Sequence, residues 1–125
     1  MLFGIVNKNN QDVVQRADFE SAYRVRNSIE GKVNTEYPNE YVAFANLPSL
    51  KTGSYRDLAP VCSSDRELAV VFSGQIYNKN ELARTINSDA HNDKNLANLV
   101  LDLYRKYGHS FVDKINGKFV YAIWD

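Results

Sequence analysis

Apolar and polar residues alternate in short segments along the chain, and their spacing predicts the secondary-structure elements of its first part. The run "LFGIV" (residues 2–6) is typical of a short buried strand. A polar turn over residues 7–12 follows, and the pair Val13-Val14 indicates a second strand. These features predict two short strands before the first helix.

A helix and a further strand are predicted next. Asp18 precedes apolar residues spaced three to four apart as far as Ile29, which predicts a helix capped by Asp18 and ended by Gly31. In "EYVAFANL" (40–47) the residues of both alternating sets are apolar until Asn46, so this segment indicates a strand whose second face becomes polar at its end.

The second half of the chain carries the clearest patterns. "LAVVFSGQIY" (68–77) is a nearly continuous apolar run, which is typical of a central strand covered on both faces. Asn78 followed by Glu81 resembles a capping box and predicts a helix over residues 79–87. Leucine, valine and tyrosine at helical spacing predict an amphipathic helix over 96–107.

The last segment contains a further helical turn and a strand. Gly108 ends the amphipathic helix, "HSFVDKI" indicates another turn or two of helix, and Asn116-Gly117 predicts a turn before the strand "KFVYAIWD". The regular spacing of a doubly wound βαβ fold is missing. We therefore expect one α+β domain over residues 1–125, with helices outside the sheets.

Composition and charge exclude several classes of protein. The chain of 125 residues is 44% hydrophobic, and its formal net charge of zero argues against nucleic acid or a membrane surface as a partner. No apolar run reaches the ~20 residues of a membrane span. The single cysteine excludes an internal disulfide. We expect a cytoplasmic protein that keeps Met1, because Leu2 is too large for removal of the initiator.

Few residues carry an obvious chemistry. Cys62 has no base beside it in the sequence, and His91 and His109 lie in polar turns without metal-ligand spacing. The break at residues 73–75 lacks the glycines of a dinucleotide-binding motif and the Gly-Lys pair of a phosphate-binding loop. We therefore expect neither a metal nor a cofactor.

Three segments resemble a known family. "VVFSGQIYNKNELA" (70–83), "LVLDLYRKYG" (99–108) and "INGKFVYAIWD" (115–125) are similar, in order and spacing, to the class II glutamine amidotransferase domain of the asparagine synthetase family. The resemblance implies a four-layer αββα sandwich of the N-terminal-nucleophile hydrolase type. Because further strands follow this point in the family, we expect the sandwich to be truncated at its C-terminal end.

The resemblance also implies where a catalytic site would lie. Active relatives attack glutamine with an N-terminal cysteine whose own α-amine acts as the base. Alignment on Gly4 puts Phe3 at the position of that cysteine. The oxyanion hole of relatives uses the asparagine side chain and the glycine amide of "NGE", which correspond here to Ser73 and Gly74, and Gln75 takes the acidic position.

Two substrate-binding positions differ as well. Asn46 takes the place of the arginine that holds the substrate carboxylate in relatives. The aspartate that meets the substrate ammonium corresponds to Leu96, or to Asp93 if the alignment shifts by three residues. The resemblance therefore implies a vestigial pocket at Phe3, Asn46, Ser73, Gly74 and Gln75 without catalytic residues.

Three functions follow as hypotheses. The chain is a catalytically degenerate domain with a structural or regulatory role beside an ATP-dependent synthetase module, or an amidohydrolase that uses Cys62 or Ser73 as nucleophile, or a small-molecule sensor with a pocket near Phe3, Asn46 and Ser73. The strand at 118–124 lacks the neighbour it has in relatives. We therefore expect a homodimer or dependence on a synthetase domain or subunit.

Overall fold

The computed structural model describes residues 2–7, 12–27, 33–46, 59–86 and 95–125. Within these ranges the elements follow in the order β1 (Leu2–Val6), α1 (Arg16–Asn27), β2 (Asn34–Asn39), β3 (Val42–Asn46), β4 (Val61–Cys62), β5 (Ala69–Ile76), α2 (Lys79–Thr85), α3 (Leu96–Tyr107), a 3-10 helix (Gly108–Lys114) and β6 (Gly117–Trp124). Helices combined with antiparallel sheets confirm the predicted α+β class.

The first sheet has the strand order β1-β3-β2, and both pairings are antiparallel. Its middle strand β3 is buried along its whole length, since each of its faces is covered. Strand β2 contains Pro38, and its register with β3 is irregular between Glu36 and Asn39. A proline suits this outer strand because it cannot donate a ladder hydrogen bond.

The second sheet has the order β4-β5-β6 and is also antiparallel. Strand β5 lies in the middle, which confirms the central strand predicted from its apolar run. Its pairing with β6 is continuous from Ala69 opposite Trp124 to Ile76 opposite Gly117.

Side chains that alternate along β3 and β5 enter three apolar clusters. The cluster between α1 and the first sheet contains the buried residues Phe19, Ala43 and Ala45. The cluster between the sheets contains the buried residues Val42, Phe44, Ala69 and Val71. Because neighbouring residues of a strand point to opposite faces, each central strand contributes to two clusters.

The third cluster covers the other face of the second sheet. Its buried members are Val70, Phe72, Ile76, Leu82, Ala83, Ala97, Leu99, Val100, Leu101, Leu103, Tyr104 and Phe111. The predicted stripe of α3 supplies much of this cluster, and α3 ends at Gly108 in a left-handed conformation with φ 56°. The amphipathic helix and its glycine stop are thus confirmed.

Two local predictions for the first part of the chain are wrong, and one strand was not predicted. Residues Val13 and Val14 form no strand, although the amide of Val14 donates to the carbonyl of Glu40. Helix α1 begins at Arg16, so Asp18 lies in its first turn and is not the cap. Strand β2 was not predicted, because its sequence "NTEYPN" is polar.

Helix α2 was predicted correctly, but its capping box is wrong. Asn78 precedes the helix, yet its side chain makes no capping hydrogen bond. The predicted ends at Gly31, Leu47 and Asn87, like the statement on Met1, lie outside the described residues. Among the described helices, none is both long and apolar enough to span a membrane.

Candidate functional site

The segment Ser73–Gln75 lies at the end of β5, directly against β6. Ser73 is half-buried, whereas Gly74 and Gln75 are exposed. Gly74 has φ 141°, a conformation that residues with a Cβ rarely adopt, and a Cβ there would overlap the carbonyl oxygen of Lys118. A Cβ on Gly117 would overlap the carbonyl oxygen of Gln75. The two glycines therefore permit the close approach of the strands.

Asn78 fastens the turn before β6 to the residues that follow this segment. Its Nδ2 donates to the carbonyl of Lys114 at 2.9 Å, and its Oδ1 accepts from the amide of Asn116 at 2.9 Å. The amide of Tyr77 also donates to the carbonyl of Asn116, at 2.7 Å. Sequence reasoning missed this role because the partners lie far away in the chain.

Asn46 lies at the end of β3 and joins the two sheets. Its side chain is 1% exposed, and its Nδ2 donates to the carbonyl of Phe72 at 2.9 Å. Because a carbonyl only accepts, this bond fixes the orientation of the amide. The Oδ1 atom is buried and has no hydrogen-bond partner within the described ranges. Asn46 thus lies beside the segment 73–75 with its Nδ2 bonded to β5 and its Oδ1 acceptor without a partner in the described ranges.

Phe3 lies on the opposite face of the first sheet from Asn46. Its ring packs against Phe19 of α1 with 5.3 Å between the ring centroids, and its register partner is Ala45. Leu2 is the residue opposite Asn46, and it packs against the cluster between the sheets. The structure therefore brings Asn46 to β5 but does not bring the Phe3 side chain to the same side.

Leu96, the position that the resemblance assigns to the substrate-binding aspartate, lies at the start of α3. Asn95 caps the helix by accepting a hydrogen bond from the amide of Ala97 at 3.1 Å, and it also donates to the carbonyl of Ala59 at 2.8 Å. Leu96 is the first residue of α3 and packs against the third cluster. Asp93 lies outside the described residues.

Cys62 forms a second contact between the two sheets. Its thiol donates to Oε2 of Glu36 at 3.6 Å, joining β4 to β2. Burial, followed by the negative charge of Glu36, raises the pKa of the Cys62 thiol to about 11. The thiol is therefore protonated near neutral pH, which makes it a poor nucleophile.

Of the two histidines, only His109 lies among the described residues. His109 is exposed and contacts the ring of Tyr104 edge-on, with 5.6 Å between the centroids. His91 lies outside the described residues. In the part of the chain that the structure describes, no group of three or more His, Cys, Asp or Glu side chains is arranged to hold a metal ion.

Comparison with known proteins identifies relatives of the second sheet and its helices. A profile of the glutamine amidotransferase domain family matches residues 50–125. Asparagine synthetase [glutamine-hydrolyzing] 2 of Bacillus subtilis (strain 168) is 33% identical over 66 residues, which are 53% of this chain and 9% of that protein. Asparagine synthetase [glutamine-hydrolyzing] 2 of Oryza sativa subsp. japonica is 30% identical over 66 residues, which are 53% of this chain and 11% of that protein.

These matches cover only part of each protein. The aligned segment spans 9% of the Bacillus protein and 11% of the Oryza protein. The profile match includes Ser73, Gly74 and Gln75 but begins after Phe3 and Asn46. Because that match covers more than half of the chain, the chain belongs to the class II glutamine amidotransferase domains of the asparagine synthetase family.

Proposed function

We propose that this chain is a glutamine amidotransferase-like domain without glutaminase activity, with a structural or regulatory role beside an ATP-dependent, amide-forming module. The observation that carries the proposal is the hydrogen bonding of the buried Asn46 side chain. Its Nδ2 donates to the carbonyl of Phe72, and its buried Oδ1 is an acceptor without a hydrogen-bond partner among the described residues. An acceptor repels a carboxylate, whereas the arginine implied at this position in relatives would bind one through two charge-assisted bonds.

The oxyanion position supports the same conclusion. The backbone amide of Gly74 remains as a possible donor, but the side chain before it is the short hydroxyl of Ser73. Loss or displacement of one oxyanion donor lowers the rate roughly 10²–10³-fold. The segment thus retains the backbone part of such a site without its longer side-chain donor.

The nucleophile position supports it as well. A phenyl ring has no nucleophilic atom, and the ring of Phe3 is occupied in packing against Phe19. The alternative nucleophile Cys62 donates a hydrogen bond to Glu36, and the pKa of its thiol is raised to about 11, which argues against an enzyme that uses this thiol. Among the described residues, no basic side chain is hydrogen-bonded to the Ser73 hydroxyl.

The fold part of the proposal is a four-layer αββα sandwich of the N-terminal-nucleophile hydrolase type. The spatial order of the three apolar clusters supports it. One cluster lies between α1 and the first sheet, the next lies between the two sheets, and the third lies between the second sheet and the helices α2 and α3. Each cluster is the packing expected between two successive layers.

The partner in this proposal is a synthetase domain or subunit, or a second copy of the chain, in the cytoplasm. Strand β6 supports an association because Val120 is 55% exposed and Tyr121 is 37% exposed. In the described part of the chain, β6 pairs with β5 alone. Light scattering across a hundredfold dilution tests this part: a fixed monomer mass contradicts self-association.

A small-molecule sensor is the second candidate, and the buried Oδ1 of Asn46 favours it. A ligand N–H group could satisfy this acceptor, which otherwise stays buried at a cost of about 1–3 kcal/mol. A rise in melting temperature with glutamine or asparagine, abolished by Asn46→Leu, would support the sensor and disfavour a purely structural role.

The main experiment measures ammonia release from glutamine. We expect none from the purified chain, and no labelling by an electrophilic glutamine analogue. Replacing Met1-Leu2-Phe3 by Met-Cys supplies a processed nucleophile, but we expect this variant to stay inactive because Asn46 and Ser73 still do not anchor the substrate. Adding Asn46→Arg and Ser73→Asn to that variant tests whether those two positions are the deficit.

Two outcomes contradict the proposal. Efficient turnover by the Met-Cys variant alone would show that the substrate pocket is intact. Stoichiometric labelling of the unmodified chain that Cys62→Ala abolishes would show that Cys62 is a nucleophile after all.

A further inference from the structure

A groove opens at the end of the first sheet that lies away from Asn46. It has a volume of about 580 Å³ and is bounded by the N-terminal end of α1, the turn between β2 and β3, and the hairpin between β4 and β5. In the register of the sheet, Asn39 and Val6 lie opposite Val42, at the far end of β3 from Asn46. The groove is therefore separate from the vestigial pocket.

Two guanidinium groups line this groove and meet at Tyr37. Arg16 lies over the Tyr37 ring with 4.7 Å between its Cζ and the ring centroid. Arg66 donates from Nε to the carbonyl of Pro38 at 3.2 Å and from Nη2 to the carbonyl of Tyr37. Neither arginine forms an ion pair with a carboxylate among the described residues. The Arg16 guanidinium and the N–H groups of Arg66 that are not bonded to the carbonyls of Tyr37 and Pro38 are thus available to an anion.

The backbone of the hairpin directs Arg66 towards the groove. Arg66 has φ 61°, a left-handed conformation that is uncommon for a residue other than glycine, asparagine or aspartate. Its amide donates to the carbonyl of Ser63 at 2.9 Å, and the Ser63 hydroxyl accepts from the amide of Leu68 at 2.9 Å. This tight turn holds the Arg66 side chain across β2.

The remaining groups around the groove are one anion and one set of backbone donors. Glu40 also lines the groove and its carboxylate accepts a hydrogen bond from the Tyr41 hydroxyl, so the lining side chains carry two positive charges and one negative charge. Helix α1 begins at Arg16, and the amide of Phe19 is bonded to the carbonyl of Gln15. The amides before Phe19 in the first turn have no partner within the helix and add positive partial charge to the same end, which the carboxylate of Asp18 in that turn partly offsets.

We propose that this groove binds a small ligand that carries a phosphate group, with Arg16 and Arg66 as the binding residues. Guanidinium groups bind phosphate oxygens through paired charge-assisted hydrogen bonds. The volume lies within the usual range of small-ligand sites, and Val13 and the Tyr37 ring offer an apolar wall for the organic part. This inference does not depend on the proposed function.

The test is a calorimetric titration of the full chain at constant ionic strength. The probes are inorganic phosphate, glycerol 3-phosphate as a phosphate ester, and succinate as a dicarboxylate. We expect the phosphate probes to bind, and Arg16→Gln and Arg66→Asn each to weaken them about tenfold. Asparagine is chosen at position 66 because it tolerates the left-handed conformation. Stronger binding of the ester than of free phosphate identifies an organic phosphate as the ligand.

Arg84→Gln is the matched control, because Arg84 is exposed on α2 away from the groove. We expect it to leave the affinity unchanged within about twofold, and melting curves establish that each variant is folded. The proposal is overturned if neither phosphate probe binds at concentrations on the order of 10 mM. It is also overturned if Arg84→Gln weakens binding as much as Arg16→Gln does, or if succinate binds as tightly as the ester.

Discussion

The two sheets of this chain differ in their packing and in their resemblance to known proteins. Among the described residues, the cluster beside α1 has three buried members, whereas the cluster beside α3 has twelve. The family profile matches residues 50–125, which include the second sheet but not β1, β2 or β3. The family match therefore coincides with the larger of the two clusters in the described part of the chain.

The comparison also separates backbone geometry from side-chain chemistry. In the second sheet, Gly74 and Gly117 allow a close approach of β5 and β6 that a Cβ at either position would prevent. In the first sheet, the Asn46 side chain bonds across to the β5 backbone. The approach of the strands thus depends on the absence of a side chain, whereas the link between the sheets depends on the chemistry of one.

The largest expected effect concerns the glycine of the second sheet. Gly74→Ala places a Cβ against β6 and requires a strained φ of 141°, so we expect the free energy of unfolding to fall by about 4 kcal/mol. Urea unfolding measures the loss. Gly108→Ala is the control, since a Cβ there meets nothing within 4 Å, and only its φ of 56° should cost about 1–2 kcal/mol. Equal losses in the two variants would contradict the close approach.

The next effect concerns the bond that Asn46 makes between the sheets. Asn46→Asp puts a buried carboxylate against the carbonyl of Phe72, so we expect a loss of about 2–3 kcal/mol at neutral pH. Burial raises the pKa of this introduced carboxyl above its unfolded value. Its protonated form can donate to Phe72, so the stability deficit relative to Asn46→Ala should shrink as the pH falls from 7 towards 4. A deficit that is independent of pH would exclude this geometry.

A smaller effect on stability is expected when the hydrogen bonds of the Asn78 side chain to the turn before β6 are removed. Asn78→Ala removes hydrogen bonds to the backbone of Lys114 and Asn116, which should lower the free energy of unfolding by about 1–2 kcal/mol. Asn80→Ala, an exposed change in α2, should stay within about 0.5 kcal/mol. If both variants have the same stability, Asn78 does not hold the turn before β6.

The smallest effect is the change in Cys62 reactivity that we expect from Glu36→Gln. With a thiol pKa of about 11, alkylation by iodoacetamide at pH 8 should be on the order of a hundredfold slower than in the unfolded chain. The rate should rise with pH up to about 11. Glu36→Gln removes the neighbouring negative charge and should speed alkylation of the folded chain about two- to fivefold. A rate that is unaffected by Glu36→Gln argues against this contact.

The sequence was most informative for elements whose apolar pattern extends over many residues and does not depend on partners far away in the chain. Helix α3 and strand β5 were predicted because each carries a continuous apolar pattern that packing then uses. Strand β2 was not predicted because it is polar and contains Pro38. Only its pairing with β3 identifies it as a strand. Asn78 was misinterpreted as a cap because its real partners, at residues 114 and 116, are distant in the chain.

The candidate site was predictable only in part for a similar reason. The position of the segment Ser73–Gln75 at the end of β5 could be predicted, because the apolar run that forms this strand breaks there. The face on which Phe3 lies depends on register, since Leu2 pairs with Asn46 and Phe3 pairs with Ala45. A shift of one residue reverses the faces, and sequence resemblance alone does not specify that choice.

Two of the polar contacts between the sheets also make the separation of the sheets measurable. Asn46 bonds to Phe72, and Cys62 contacts Glu36, so each contact breaks only if the sheets move apart at that place. Exchange of the Asn46 side-chain amide protons with solvent reports opening at one place, and thiol modification reports it at the other. If both rates respond equally to urea, the sheets separate as one cooperative unit; if they differ, the sandwich opens from one side first.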